Sequence, residues 1–158
     1  MTKERVVHST IVVERRFKVA PARVFAAWAD ASARAQWNVP GEGWELAELQ
    51  QDFRVGGRET ARFGPKGNPV HWSAGHFLDI VPDERIVSAG TMHDGETRSS
   101  ATLCTIEFVA ENSGTLLVLT DQSAFLGAGE MPADRKSGWG KIIDRLELYL
   151  LGADTSTH

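Results

Sequence analysis

The side chains of this chain that could do chemistry are few and scattered. The five histidines are His8, His71, His76, His93 and His158. No two of them share metal-ligand spacing on a helix, and His71 and His76, five apart in a strand-like stretch, would face opposite sides. No bound metal and no cofactor are therefore expected. Gly56-Gly57 leads into a strand pattern rather than a helix, so it is not a phosphate loop. Gly127-Ala128-Gly129 reads as a hinge, and no serine sits in a nucleophile elbow. No catalytic set is assigned.

The remaining polar candidates suit the orientation of a bound molecule. If Trp72, Ala74, His76 and Leu78 face inward, His76 is the histidine placed to meet a ligand; its plain alternative is a satisfied interior or edge residue. Asp121 shares a phase with Leu117 and Leu119. It points inward with them, or lies near the strand end and reaches water, the reading we prefer. A carboxylate beside an imidazole could do general acid–base work or simply orient a polar group. Arg15 falls among Ile11, Val13, Phe17 and Val19, which calls for a bulge or an edge position, or else for a buried partner. An Arg15–Asp121 cluster would supply one. Trp37, Trp72, Met92, Phe125 and Trp139 are candidate pocket walls, although ordinary core packing is the common fate of each. Ile143 and Leu146 complete the apolar contacts expected of a ligand. The lone Cys104 lies in a strand pattern and reads as a small core residue rather than a reactive thiol.

The elements that must position these groups are legible in the spacing. Residues 139–151 carry apolar Trp139, Ile142, Ile143, Leu146, Tyr149 and Leu150 at helical intervals, with Arg135, Lys141, Asp144, Arg145 and Glu147 largely on the other side. Gly138 and Gly140 flank Trp139, each costing about 1 kcal/mol relative to alanine inside a helix. They imply a loose first turn, close approach of a neighbour, or passage for a ligand. Upstream, residues 8–19 alternate as a strand. Pro21 opens a short helix bearing Val24, Phe25 and Trp28, and a second turn or helix covers residues 30–36. Strands follow over residues 44–53, 58–63, 71–81, 85–92, 100–109 and 115–123. A long run of strands before one amphipathic helix predicts an α+β domain in which a curved antiparallel sheet of six or seven strands grips the helix.

At 158 residues the chain is one domain. Its net charge of −4 and pI near 5.7 argue against a nucleic-acid partner. No apolar run suits membrane insertion, the N-terminus lacks a signal core, and a single cysteine fits the cytoplasm. A homodimer through sheet edges or helix ends is compatible with the sequence but not shown by it.

Four stretches, in order, carry a family resemblance. They are Pro21-Ala22-Arg23-Val24-Phe25-Ala26-Ala27-Trp28 followed by Trp37; Asp52-Phe53-Arg54-Val55-Gly56-Gly57-Arg58; Gly75-His76-Phe77-Leu78-Asp79-Ile80-Val81-Pro82-Asp83-Glu84-Arg85-Ile86-Val87; and Gly138-Trp139 leading into Leu146, Leu148 and Leu150. Over roughly residues 8–151 the chain resembles the single-domain bacterial relatives of the heat-shock-protein-90 ATPase activator, within the START-like or SRPBCC superfamily. The resemblance implies a helix-grip fold with a cavity for an apolar or amphipathic ligand. Members include lipid carriers, hormone receptors and polyketide cyclases, so fold does not dictate activity. The leading expectation is a binding protein for a small hydrophobic ligand. A cyclase- or hydrolase-type enzyme using His76 with Asp121 or Arg15 is the second reading. A chaperone-interacting module is the third. The eukaryotic activator has a separate N-terminal domain that contacts the chaperone, whereas this chain opens on its first strand, which argues against a chaperone partner.

Overall fold

Alternating side chains in seven segments pair into one antiparallel sheet, in a computed structural model that describes residues 6–127 and 129–155. The strands are β1 (Val7–Phe17), β2 (Trp44–Gln51), β3 (Arg58–Pro65), β4 (His71–Val81), β5 (Arg85–Asp94), β6 (Thr97–Glu111) and β7 (Gly114–Phe125). Their spatial order is β1-β7-β6-β5-β4-β3-β2, so β1 and β2 are the edges. Every join from β2 onward links neighbours, whereas the passage from β1 to β2 crosses the whole sheet through two short helices, α1 (Pro21–Ala29) and α2 (Ala31–Trp37). Pro21 stands in the first turn of α1, where its missing N–H is harmless. Asp30 then caps α2, its carboxylate accepting from the Ser32 amide at 3.0 Å.

The long helix α3 (Pro132–Thr155) lies across the curved sheet, giving the expected helix grip. Its stripe is as predicted: Ile143 and Leu146 are fully buried, Leu150 nearly so, and Trp139, Ile142 and Tyr149 are half-buried. They meet Val24, Trp28, Phe77, Ile106, Phe108, Leu117 and Leu119 in one continuous core. Two sequence expectations change here. The helix begins at Pro132 rather than near Trp139, and Arg135 is buried rather than on the polar side. Arg15 needs no bulge, because β1 pairs with β7 without a register shift. It occupies an edge strand, and its guanidinium reaches Asp144 at 2.8 Å and Glu147 at 2.9 Å on α3.

Gly138 and Gly140 do not mark a close approach, since a Cβ on either would meet nothing within 4 Å. Gly140→Ala is therefore expected to stabilise the protein by about 1 kcal/mol, raising Tm by about 2–4 °C in a thermal melt.

Candidate functional site

Between the sheet and helices α2 and α3 lies a cavity of about 810 Å³. The strand phase that builds it is the opposite of the one supposed for β4. Residues 71, 73, 75 and 77 turn inward, where Phe77 is 2 % exposed, while Trp72, His76 and Leu78 are exposed on the outer row. Trp72 stacks flat on His93, its cross-strand partner, with ring centroids 3.6 Å apart. Two glycines, Gly75 and Gly90, face each other across β4 and β5 and leave the cavity floor bare of side chains.

The polar end of the cavity is built on Asp121, which is fully buried and does not reach water. It accepts from Ser123 Oγ at 2.5 Å, Trp139 Nε1 at 2.8 Å and Arg135 Nη1 at 3.1 Å. Arg135 spends its remaining donors on Thr102, Ser100 and Glu130, whose carboxylate takes the Nε/Nη2 edge in two bonds of 2.7 Å. The guanidinium also lies over the Phe125 ring, 5.1 Å from its centroid. Burial works against the Arg135 charge, but the bonds and charges of Glu130 and Asp121 more than offset it and hold its pKa above the usual arginine value.

A second ion pair, Arg34–Glu59, joins α2 to β3, with both side chains largely buried. Arg34 Nη1 also donates to Gln51 Oε1 at 2.8 Å, and Gln51 in turn donates to the carbonyls of Trp28 and Ala29. Arg34 Nε is buried without a hydrogen-bond partner. Cys104 lines the same cavity within the field of both pairs. Burial, then Asp121, pushes its thiol up from 9.0 to about 12. The folded thiol thus stays protonated where an unfolded one ionises. Native protein at pH 8 is expected to resist iodoacetamide at Cys104 until denatured, as mass spectrometry of the alkylated chain would show. By the same sign, stability falls as pH rises above 9.0 toward about 12, and Cys104→Ala removes that part of the loss.

The other end is aromatic. Trp44, Phe63 and His71 from β2, β3 and β4 cluster with ring centroids 5.5–6.4 Å apart, and Asp94 Oδ1 stands 3.6 Å from His71 Nδ1.

Of the residues singled out from sequence, Met92, Asp121 and Trp139 line the cavity, and His76 borders it with its side chain on the exposed row. Phe125 lies beneath Arg135. Ile143 and Leu146 are core, as is Trp37, whose indole donates to the Ala27 carbonyl at 3.2 Å and packs edge-on to Trp28. Arg15 belongs to the α3 ion pairs instead of a cluster with Asp121, and Trp72 lies on the far face. His76 and Asp121 sit on strands separated by β5 and β6, about 14 Å across the sheet. They do not converge with each other or with Arg15, so the arrangement required for acid–base chemistry by these three is absent.

Sequence reasoning missed Arg135, Arg34, Glu59, Trp44 and Phe63. A signal existed for Arg135: it stands four residues before Trp139, on the same helical stripe. Nothing in the spacing joins Arg34 to Glu59.

Among the described residues no helix is long and apolar enough to cross a membrane, and no group of three His, Cys, Asp or Glu is placed to hold a metal ion. The family model described as activator of Hsp90 ATPase homolog 1-like protein matches residues 18–151. A solved structure of an uncharacterised protein from Rhizobium leguminosarum is 39% identical, with a TM-score of 0.85 over 94% of this chain and 98% of that one. Another, from Rhizobium loti, is 38% identical with a TM-score of 0.83 over 92% and 99%. The fold alone is shared with DynU16, a protein of the dynemicin biosynthetic locus, at 17% identity and a TM-score of 0.66 over 89% of this chain and 46% of that one. No curated protein matches the chain.

Proposed function

Because the chain belongs to the family of activator of Hsp90 ATPase homolog 1-like proteins, a helix-grip family, we propose that it reversibly binds one small hydrophobic or amphipathic molecule between the sheet and α3. The observation that carries this reading is the unfilled space itself. Its volume of about 810 Å³ falls within the range of about 300–1,000 Å³ usual for small-molecule sites. Apolar walls from Trp44, Phe63, Met92, Trp139 and Ile142 meet a few convergent polar groups at one end, which is the pattern of a site that buries a ligand body and orients its head. The DynU16 likeness is in keeping with such a fold serving small-molecule metabolism. The same reading places the protein in the cytoplasm, on its single cysteine.

The test is displacement of a fluorescent lipid probe, paired with native mass spectrometry of the purified protein. One molecule bound per chain, displaced competitively by apolar compounds, is expected. Failure of every apolar probe to bind would end the carrier reading.

A further inference from the structure

The charges around the cavity restrict what the ligand can bring to its polar end. Among the described residues, three cationic side chains line it: Arg34, Arg135 and Lys141. Five carboxylates oppose them: Glu59, Asp94, Asp121, Glu130 and Asp134. The lining thus carries an excess of two negative charges, with histidines neutral. An anionic ligand head would enter that surplus in a medium of low dielectric, where like charges repel strongly. Arg135 offers it no opening, because every donor edge of its guanidinium is already taken.

A cationic head would bring the right charge and the wrong hydrogen-bonding group. Glu59 is held by Arg34, and Asp121 and Glu130 by Arg135. Asp134 accepts from the Met131 amide at 3.0 Å, and Asp94 stands beside His71. The unmet groups of this region are donors. Arg34 Nε is buried with no partner, and so is Nε1 of Trp28, the ring over which that guanidinium lies at 5.6 Å. A buried donor left unpaired, on a charged group above all, favours any arrangement that brings it an acceptor.

We infer that the head of the ligand is an uncharged hydrogen-bond acceptor, such as a carbonyl oxygen, received at Arg34 between the Arg34–Glu59 pair and the Cys104 thiol. The inference rests on the proposed ligand-binding function and narrows its ligand class. Nε is buried while Arg34 lines the cavity, so occupancy includes a small turn of the Arg34 guanidinium toward the cavity. The neutral thiol of Cys104 and the hydroxyl of Thr102 add no charge against the carbonyl. The aromatic cluster of Trp44, Phe63 and His71 and the indole of Trp139 suit a flat apolar body.

Four probes of one skeleton separate the cases: fluorene, fluorenone, fluorene-9-carboxylate and 9-aminofluorene, each titrated calorimetrically at pH 7. Fluorenone is expected to bind about tenfold tighter than fluorene, the effect of one hydrogen bond from a charged donor. The carboxylate and the ammonium are expected to bind no better than fluorene. Replacing the pair together, Arg34→Met with Glu59→Met, avoids stranding a lone buried charge. It should abolish the preference for the ketone over fluorene. Equal binding of ketone and hydrocarbon, or tighter binding of either charged probe, would overturn the inference and leave the carrier reading standing. Binding of none of the four would count against both. The ranking on the unaltered protein decides the matter even if the double variant does not fold.

Discussion

Arg135→Met is expected to be among the most damaging single substitutions outside the apolar core, lowering stability by about 3–5 kcal/mol and Tm by about 10 °C or more. The reason lies in Asp121. Its side chain has no solvent exposure, and among the described residues its carboxylate is balanced by a single cation, Arg135, at 3.1 Å. Removing that cation leaves a charge buried beside Ser123 and Trp139 with only neutral donors. Glu130, which shares Arg135 through two bonds of 2.7 Å, would lose its anchor as well, but at 27% exposure it can turn to water. The effect should therefore follow Asp121 and not Glu130. Two further variants separate these contributions. Arg135→Met with Asp121→Leu should be clearly more stable than Arg135→Met alone, because an apolar pair replaces a stranded charge. Glu130→Gln should cost less than about 1 kcal/mol, as expected of a partly exposed partner. Chemical denaturation of the four proteins would check the ranking; an Arg135→Met protein within 1 kcal/mol of the parent would mean that Asp121 does not depend on Arg135.

That cluster also marks where reading the sequence stops short. Element types and their order follow from local chemistry. Alternation is visible in β1 because Ile11 and Phe17 face the core while Val12 and Arg16 face out. The stripe of α3 is visible because Trp139, Ile143, Leu146 and Leu150 recur at helical spacing. Arg135 lies one turn farther up the same stripe, and its charge concealed it. Charged side chains are seldom buried unless paired, and the partners, Asp121 on β7 and Glu130 before α3, are separated from it by the fold or by a turn. The inward row of β4 is obscured in the sequence for a related reason. Trp72 is the bulkiest apolar residue of that strand and invites an inward assignment. The true inward row includes His71, Ser73 and Gly75, small or polar residues that suit the wall of a cavity rather than a packed core. A half-filled interior erases the contrast on which alternation arguments depend. Arg34 and Glu59 pair across sequence for the same tertiary reason, invisible to spacing.

Gly75→Ala and Gly90→Ala carry the second large expectation, because intrinsic preference and tertiary geometry pull in opposite directions. Alanine is the better strand residue by conformational entropy alone, so a sequence argument would expect a small gain. The structure requires the reverse. A Cβ on Gly75 would lie 2.4 Å from the Ala89 carbonyl oxygen and 2.9 Å from the Gly90 Cα. A Cβ on Gly90 would lie 2.5 Å from the Ala74 oxygen and 2.9 Å from the Gly75 Cα. All of these atoms are backbone, so no side chain can swing aside to make room. Either substitution must push β4 from β5 at the centre of the sheet, and about 2–3 kcal/mol of overpacking is expected from each, with Tm lower by about 4–12 °C. The two changes should be strongly non-additive, since a single displacement of the strands accommodates both methyl groups. Thermal melts of the two single variants and the pair would test this, and a Gly75→Ala protein as stable as its parent would refute the close approach. The same geometry links stability to the cavity. With no side chain on either glycine, the two backbones come close and the floor is bare at that point. The space for a ligand is thus set as much by these two missing side chains as by the walls that surround them.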